Sequence, residues 1–568
     1  KVTDGRLASR DGKIDITATY NTVVNESNAF VAATTNSLPD RSRPDDETNL
    51  GAQSVAEAAS GGLVAGSGGD ATVKHYGQIT ASAGGTLSAG QDIQVTAVSH
   101  AFPTAVASGM AGGGVGVGTS FADADSQTAT SAALLGNVES AKKVLVTSLS
   151  IESPSTRTTA LSGGLIAGNG SESQAEVLAP DSADAGVALS ASEAVLGGGT
   201  VQASDEVRVT AIFRPAASAI ATGGSYGVVG VGASIAKSIV NGDVLAKIAD
   251  DTNIQTNSLI VEARREVPAT ESGASSFAEA TASAGGGLIG ATGSDAMAHS
   301  LGSVDATTGK NVQLPAGNVD IRALSATHQK AAASGLAIAF GGFAPSLALG
   351  FNFSQALSKV DVTATFGERA ITTVNREGHL AVQAAGMDSN EARTVAGAGG
   401  AIAGNAAEAE AKDGSEVKTA IQQAQGTLYA GDIRFDSSHV SWYSATADST
   451  TASLIGGSGS YADYTATTSA VTEIAPNAKF LSGGLFEVTS TNNFFRLRND
   501  EYAVRAAGGG VATGSSAKSD SVITSVSQVT IGEDADLAVE SNALGNQRLY
   551  VCASTNVAST DRVDLQTG

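Results

Sequence analysis

A short alternating stretch, apolar-x-Val/Ile-x-Ala/Ser or a close variant, recurs down this chain, and its spacing limits what the chain can become. It reads Ile14-Ile16-Ala18, Ile93-Val95-Ala97, Val144-Val146-Ser148, Val207-Val209-Ala211 and Leu259-Val261-Ala263. It returns at Val319-Ile321-Ala323, Leu380-Val382-Ala384, Ile433-Phe435-Ser437, Phe486-Val488-Ser490 and Leu537-Val539-Ser541. After a first gap that holds an insertion, the copies lie 51, 63, 52, 60, 61, 53, 53 and 51 residues apart. A period this regular marks an array in which each unit buries its apolar face by stacking on its neighbours. Residues 1–568 therefore read as a single continuous array of about ten units of roughly 55 residues, rather than as several globular domains.

Within one unit, Ile93-Gln94-Val95-Thr96-Ala97 alternates apolar and polar residues, the period of a half-buried strand. A loop at His100–Pro103 leads to Ala105–Ser108, then to Gly112-Gly113-Gly114, where glycine permits a tight turn. Val115 to Asp125 alternates again, and a weaker strand from Thr128 to Leu135 ends at Gly136. Four short strands per unit follow. Alanine-rich stretches such as 406–411 favour helix, but each interior glycine costs a helix about 1 kcal/mol, and nearly every unit carries a glycine pair. The fold class is all-β, and the expected architecture is an elongated β-solenoid. A string of small β-sandwich modules is the alternative, although Pro-rich linkers between units are missing.

The glycine turns come in two types. Gly61-Gly62-Leu63-Val64-Ala65-Gly66, Gly163-Gly164-Leu165-Ile166-Ala167-Gly168 and their kin at Gly286, Gly399 and Gly509 alternate with turns such as Gly114–Gly118, Gly227–Gly232, Leu347–Phe351 and Leu454–Gly457. This alternation predicts paired units of roughly 110 residues whose members face different environments.

Composition narrows the partners. With 68 Gly but 10 Pro and no three-residue period, collagen is excluded. A net charge of −23, thinly spread, repels nucleic acid and anionic lipid. No charge-free apolar run is long enough to span a membrane. Cys552 has no partner for an intrachain disulfide. The chain opens at Lys1 in mid-pattern and is expected to be a segment of a longer polypeptide. Residues 36–50, with Pro39, Arg41, Arg43, Pro44 and Asp45-Asp46-Glu47, are expected to form a polar loop inserted off the array.

No catalytic constellation is visible, so the chain is expected not to be an enzyme and to carry no catalytic, cofactor-binding or metal-ligating residues. His75, His100, His299, His328, His379 and His439 show no metal-ligand spacing. Gly227–Gly232 lacks the Lys-Ser/Thr ending of a phosphate loop. A hint of Ca²⁺ comes from the acidic stretches at Gly66–Asp70 and Asp123-Ala124-Asp125, which do not match the tandem nonapeptide of calcium β-rolls. One pattern stands out. Bulky and cationic residues follow the alternating strand in unit after unit: His100 and Phe102, Phe213 and Arg214, Arg264 and Arg265, His439, Trp442 and Tyr443, Phe494, Phe495 and Arg496, Arg548 and Tyr550. Stacking would align them, either as fillers of a wide corner or as a contact ridge for a neighbour.

The Gly-Gly-Leu-Ile-Ala-Gly turns and Ile-x-Val-x-Ala strands resemble the repetitive passenger regions of giant bacterial exoproteins and adhesins, of the filamentous-haemagglutinin kind. The resemblance spans the whole chain in texture and implies secretion to the extracellular space or cell surface, a β-helical shaft, and roles in adhesion or fibres. The repeats here are more than twice as long as the shaft repeats of that family, which leaves room for larger rungs or protruding hairpins. The expected function is that of a non-enzymatic structural protein of an extracellular or cell-surface filament, partnered by copies of itself. The alternative is an adhesin that binds host glycans or receptors through the aromatic and basic corners or the inserted loop.

Overall fold

In the computed structural model the alternating stretches become strands because every second side chain can enter an apolar interior while the others face water. The structure describes residues 5–567 except 21, 25–29, 33–51, 181–189, 269–272, 315, 342–344, 369–370, 373–377, 423–425, 498–502 and 541–546. The inserted loop expected at residues 36–50 thus lies outside the described residues. The fold is all-β, without a helix among the described residues. Among the described residues no helix is long and apolar enough to cross a membrane.

Each copy lies on the one before it, in register and parallel. The first alternating position runs Ile14, Ile93, Val144, Val207, Leu259, Val319, Leu380, Ile433, Phe486, each paired to the next. From Ile93 to Phe486 all of these are fully buried. The register then continues from Phe486 to Leu549 and from Val488 to Val551. This corrects one expectation: the tenth copy is Leu549-Val551-Ala553. Leu537 and Val539 belong to another side of the copy, pairing with Phe480 and Ser482.

In most of the described copies three strands contribute to one apolar core, here called the base. In the second copy they are Ile93–Ala101, the end of Thr104–Leu134, and Asn137–Ser140. Ile93, Val95, Ala132, Leu134 and Val138 meet in a single cluster that runs along the stack. Between the first two of these strands the chain leaves the base. Thr104–Leu134 is one strand of 31 residues rather than several short ones. It runs outward, folds at Gly113-Gly114, and returns against itself, making a two-layered arm.

Small side chains let the two limbs of the arm close. Ala105, Ala107, Ala122 and Ala124 form the arm's own small core. A Cβ on Gly109 would lie 2.3 Å from the Thr119 carbonyl oxygen, so no larger residue fits there without a shift. Polar side chains tie the limbs as well. Asn169 and Asn405 donate across the arm to the carbonyls of Ala160 and Ala396 at 2.7 and 2.9 Å. Ser460 donates to Ser449 at 2.7 Å.

Both types of glycine turn occupy the same place, the fold at the arm's tip. Gly62 pairs with Gly113, Gly113 with Gly164, and Gly164 with Gly227. The two types of turn are thus aligned along one edge.

Candidate functional site: a charge-free edge of stacked arms

The outer part of every arm carries no Asp, Glu, Lys, Arg or His. The windows are 58–69, 104–122, 158–171, 215–236, 280–294, 331–358, 394–407, 449–462 and 506–517. Stacking places these nine windows side by side, one per copy, at the ~4.8 Å pitch of a sheet. The result is an uncharged edge about 40 Å long on a chain of net charge −23.

The tip of that edge is apolar and open to solvent. Leu63 is 85% exposed, Leu165 65% and Val511 84%, with Val228, Leu288 and Leu454 also exposed. These residues sit at the fold of the arm, where no inner layer remains to cover them. Beside the tips, the outgoing limbs of the first four copies form a shallow groove of about 530 Å³ lined by Met110, Leu161, Tyr226 and small residues such as Ala59 and Gly112. Apolar tip and apolar groove lie next to each other, an arrangement that marks an interaction surface.

Charged groups gather instead around the base and the roots of the arms, where they pair along the stack and within a strand. Arg214 meets Glu266 at 2.6 Å, Arg264 meets Glu266 at 2.9 Å, and His328 meets Glu391 at 3.0 Å. Lys74 lies 2.9 Å from Asp125 and 3.6 Å from Asp123. The acidic stretches Gly66–Asp70 and Asp123–Asp125 are therefore strand residues of return limbs, not open oxygen-rich turns. Burial and the neighbouring Asp125 push the Asp123 carboxyl up to about 6.

The candidate ridge divides by the alternation of the strand. His100, Phe213, Arg265, His439, Tyr443 and Phe494 turn inward and are buried. They fill the corner, as one of the two sequence readings had it. Phe102, Arg214, Arg264, Trp442, Phe495, Arg496 and Tyr550 are partly exposed, and Arg548 is exposed. Most of these outward groups are engaged within the chain. Trp442 stacks on Phe495 with centroids 4.7 Å apart, Arg496 meets Asp561 at 2.8 Å, and Arg548 lies over the Tyr550 ring. The buried half cannot touch a neighbour. The uncharged edge, not this ridge, is the continuous free surface.

Inside the base the chain carries a cluster that spacing did not reveal. Asp388, Asp413 and His439 are all buried, and one ligand-type atom from each lies within 4.8 Å of the others. His439 Nε2 is 3.0 Å from Asp388 Oδ2 and 3.5 Å from Asp413 Oδ2. Thr327 donates to Asp388, and the Ser415 N–H donates to Asp413 at 3.1 Å. Burial opposes an imidazolium, but the two carboxylates outweigh it and raise His439 to about 9. Burial and Asp388 push Asp413 upward, whereas Asp388, bonded to His439, is held low. No expectation from the sequence named Asp388 or Asp413. In sequence the three are 25 and 26 residues apart. Asp388 and Asp413 sit near opposite ends of one long strand and His439 on the next copy, so the fold of the arm and the stacking together join them.

Compared with known proteins, the chain matches no family model, no curated protein and no solved structure.

Proposed function

We propose that the chain is a β-solenoid section of an extracellular or cell-surface filament, non-enzymatic, whose copies associate laterally through the edge of stacked arms. The observation that carries this reading is the run of nine consecutive arms whose outer parts are free of charge, with exposed apolar tips such as Leu63, Leu165, Leu454 and Val511. Two bodies of charge −23 repel over most of their surfaces and approach at lowest cost where neither bears charge. A second copy also offers an edge of identical pitch, so that contacts made by one copy recur at every other. The β-solenoid description rests on the parallel, in-register pairing of each copy with its neighbours alone.

Analytical ultracentrifugation across protein and salt concentration tests the proposal. Association through an uncharged seam is expected to persist or strengthen as salt screens the mutual repulsion. A strictly monomeric chain at all salts would overturn it. Association that collapses with salt would return the contact to the charged corners, and specific binding on a glycan array would favour the adhesin alternative.

A further inference from the structure

The Asp388–Asp413–His439 cluster poses a question of charge that the protein groups alone answer incompletely. Asn492 donates through Nδ2 to Thr468 Oγ1 at 2.8 Å, which turns its Oδ1 toward the imidazole. His439 Nδ1 lies 2.9 Å from that oxygen and so carries a proton that it donates there. The other nitrogen, Nε2, faces two carboxylate oxygens. A bare lone pair in that position would confront two anions, so a cation must stand between the three atoms. It is a proton, on the ring or on Asp413, or a metal ion; a proton on Asp413 would leave Asp388 Oδ2, 3.0 Å away, against the bare Nε2 lone pair.

A ring proton satisfies only part of the site. It can point at Asp388 Oδ2, 3.0 Å away, but Asp413 Oδ2 is then left fully buried with no hydrogen-bond partner. An unpartnered buried carboxylate oxygen is among the costlier arrangements in a protein interior. A metal ion would engage all three atoms at once. The 3.0 and 3.5 Å separations bracket the edge of roughly 3.3 Å expected between ligands of a tetrahedral Zn²⁺ site. The surroundings have the form of an outer shell too: the non-ligating Nδ1 is bonded to a side-chain oxygen, and Asp388 and Asp413 receive bonds from Thr327 and the Ser415 N–H. Two carboxylates neutralise a divalent ion. One nitrogen and two oxygens suit a borderline cation of low coordination number better than Ca²⁺, which takes six to eight oxygens.

We infer that Asp388, Asp413 and His439 form a buried structural site for a divalent transition-metal ion of the Zn²⁺ class, clasping the seventh copy to the eighth. The donors come from the base strand and return limb of one copy and the base strand of the next. Because the site is closed to solvent, the ion enters while the copies stack, and it exchanges only when they part.

The test uses the whole chain. Protein unfolded with chelator is refolded with or without one equivalent of Zn²⁺, and metal content is measured after exhaustive dialysis. Co²⁺ refolding supplies a visible absorption band as a second readout. The wild type is expected to retain one equivalent, to melt higher with Zn²⁺ than without, and to show a low-symmetry Co²⁺ spectrum. Asp413→Asn keeps the shape of the side chain and is expected to weaken retention by roughly 100-fold or more. Asn492→Ala, which leaves all three ligands, is expected to weaken it roughly 10- to 100-fold. Circular dichroism establishes that each variant has folded. Retention of no Zn²⁺ by folded wild type, or equal retention by folded Asp413→Asn, would overturn the site and leave a proton in the ion's place.

Discussion

Base and arm share one backbone ladder and fill it in opposite ways. The base packs Val, Ile, Leu and, in later copies, Phe435, Phe480 and Phe486, whose rings meet edge to face at 5.3 and 5.9 Å. The arm packs Ala, Gly and Ser, and its limbs approach until a single Cβ at Gly109 would collide with backbone. At about 25 cal/mol per Å² of apolar surface removed from water, an alanine contributes far less than a leucine. The arm compensates with hydrogen bonds along and across its layers, such as the Ser162–Ser225 and Ser171–Ser234 rungs at 2.9 Å. The difference teaches that stability resides in the base, whereas the arm holds a thin uncharged surface away from it.

Four variants would break or sharpen that contrast. The largest effect is expected in the base. Phe435→Ala empties a fully buried aromatic site and should cost about 3–5 kcal/mol, read as a lower urea midpoint.

The second is polar and tied to pH. Glu152 is buried and accepts bonds from Ser126 and Ser150 at 2.5 and 3.3 Å. Burial nevertheless raises its carboxyl from 4.5 to about 7. Below pH 4.5 the group is neutral in both folded and unfolded chains. Between 4.5 and 7 only the unfolded chain ionises, so stability falls, and above 7 the loss is constant. Glu152→Gln removes that loss. Its advantage over the wild type should grow from nothing at pH 4 to on the order of 3 kcal/mol at pH 8, measured by urea titration at each pH.

In the arm, Gly109→Val should cost about 1–3 kcal/mol, and locally. Amide exchange is expected to quicken in residues 104–126 while Ile93–Ala101 stays protected. Exchange that quickens equally in both would mean that arm and base unfold as one. The smallest effect on stability belongs to the tip. Leu165→Ser with Ile166→Ser should change the unfolding free energy, read by urea titration, by no more than about 0.5 kcal/mol. The same pair should lower self-association in the ultracentrifuge, because it alters the seam and little else.

The base was legible because alternation of apolar residues is a direct consequence of a strand with one buried face. It misled only at the tenth copy. Each copy holds two nearby alternating strands, as in Leu428-Tyr429-Ala430 and Ile433-Arg434-Phe435, and only pairing distinguishes them. Leu537-Val539 matched the period yet belongs with the former set. The arm was half legible. Its glycines announced a turn, but small residues on every position hide which face is buried. The nine charge-free windows were present in the sequence and would have pointed to the edge. The split of the corner residues followed from strand parity, visible in Tyr443 buried beside the half-exposed Trp442. The Asp388–Asp413–His439 cluster had no such signal, since the separation of its members depends on arm length and loop length in that one copy.

Apart from a short antiparallel pair inside the first copy, Thr22–Val24 with Phe30–Ala32, every described strand pairing joins a copy to the one immediately before or after it, never to a distant one. A copy that has just emerged from a ribosome or a secretion pore therefore finds its entire template already in place. Closing it requires a search over some sixty residues, whatever the length already built, so the time to add a copy should not grow with the chain. Such an array can be threaded through a membrane unfolded and made rigid on the far side, one layer after another, with the free energy of each new layer opposing backward slippage.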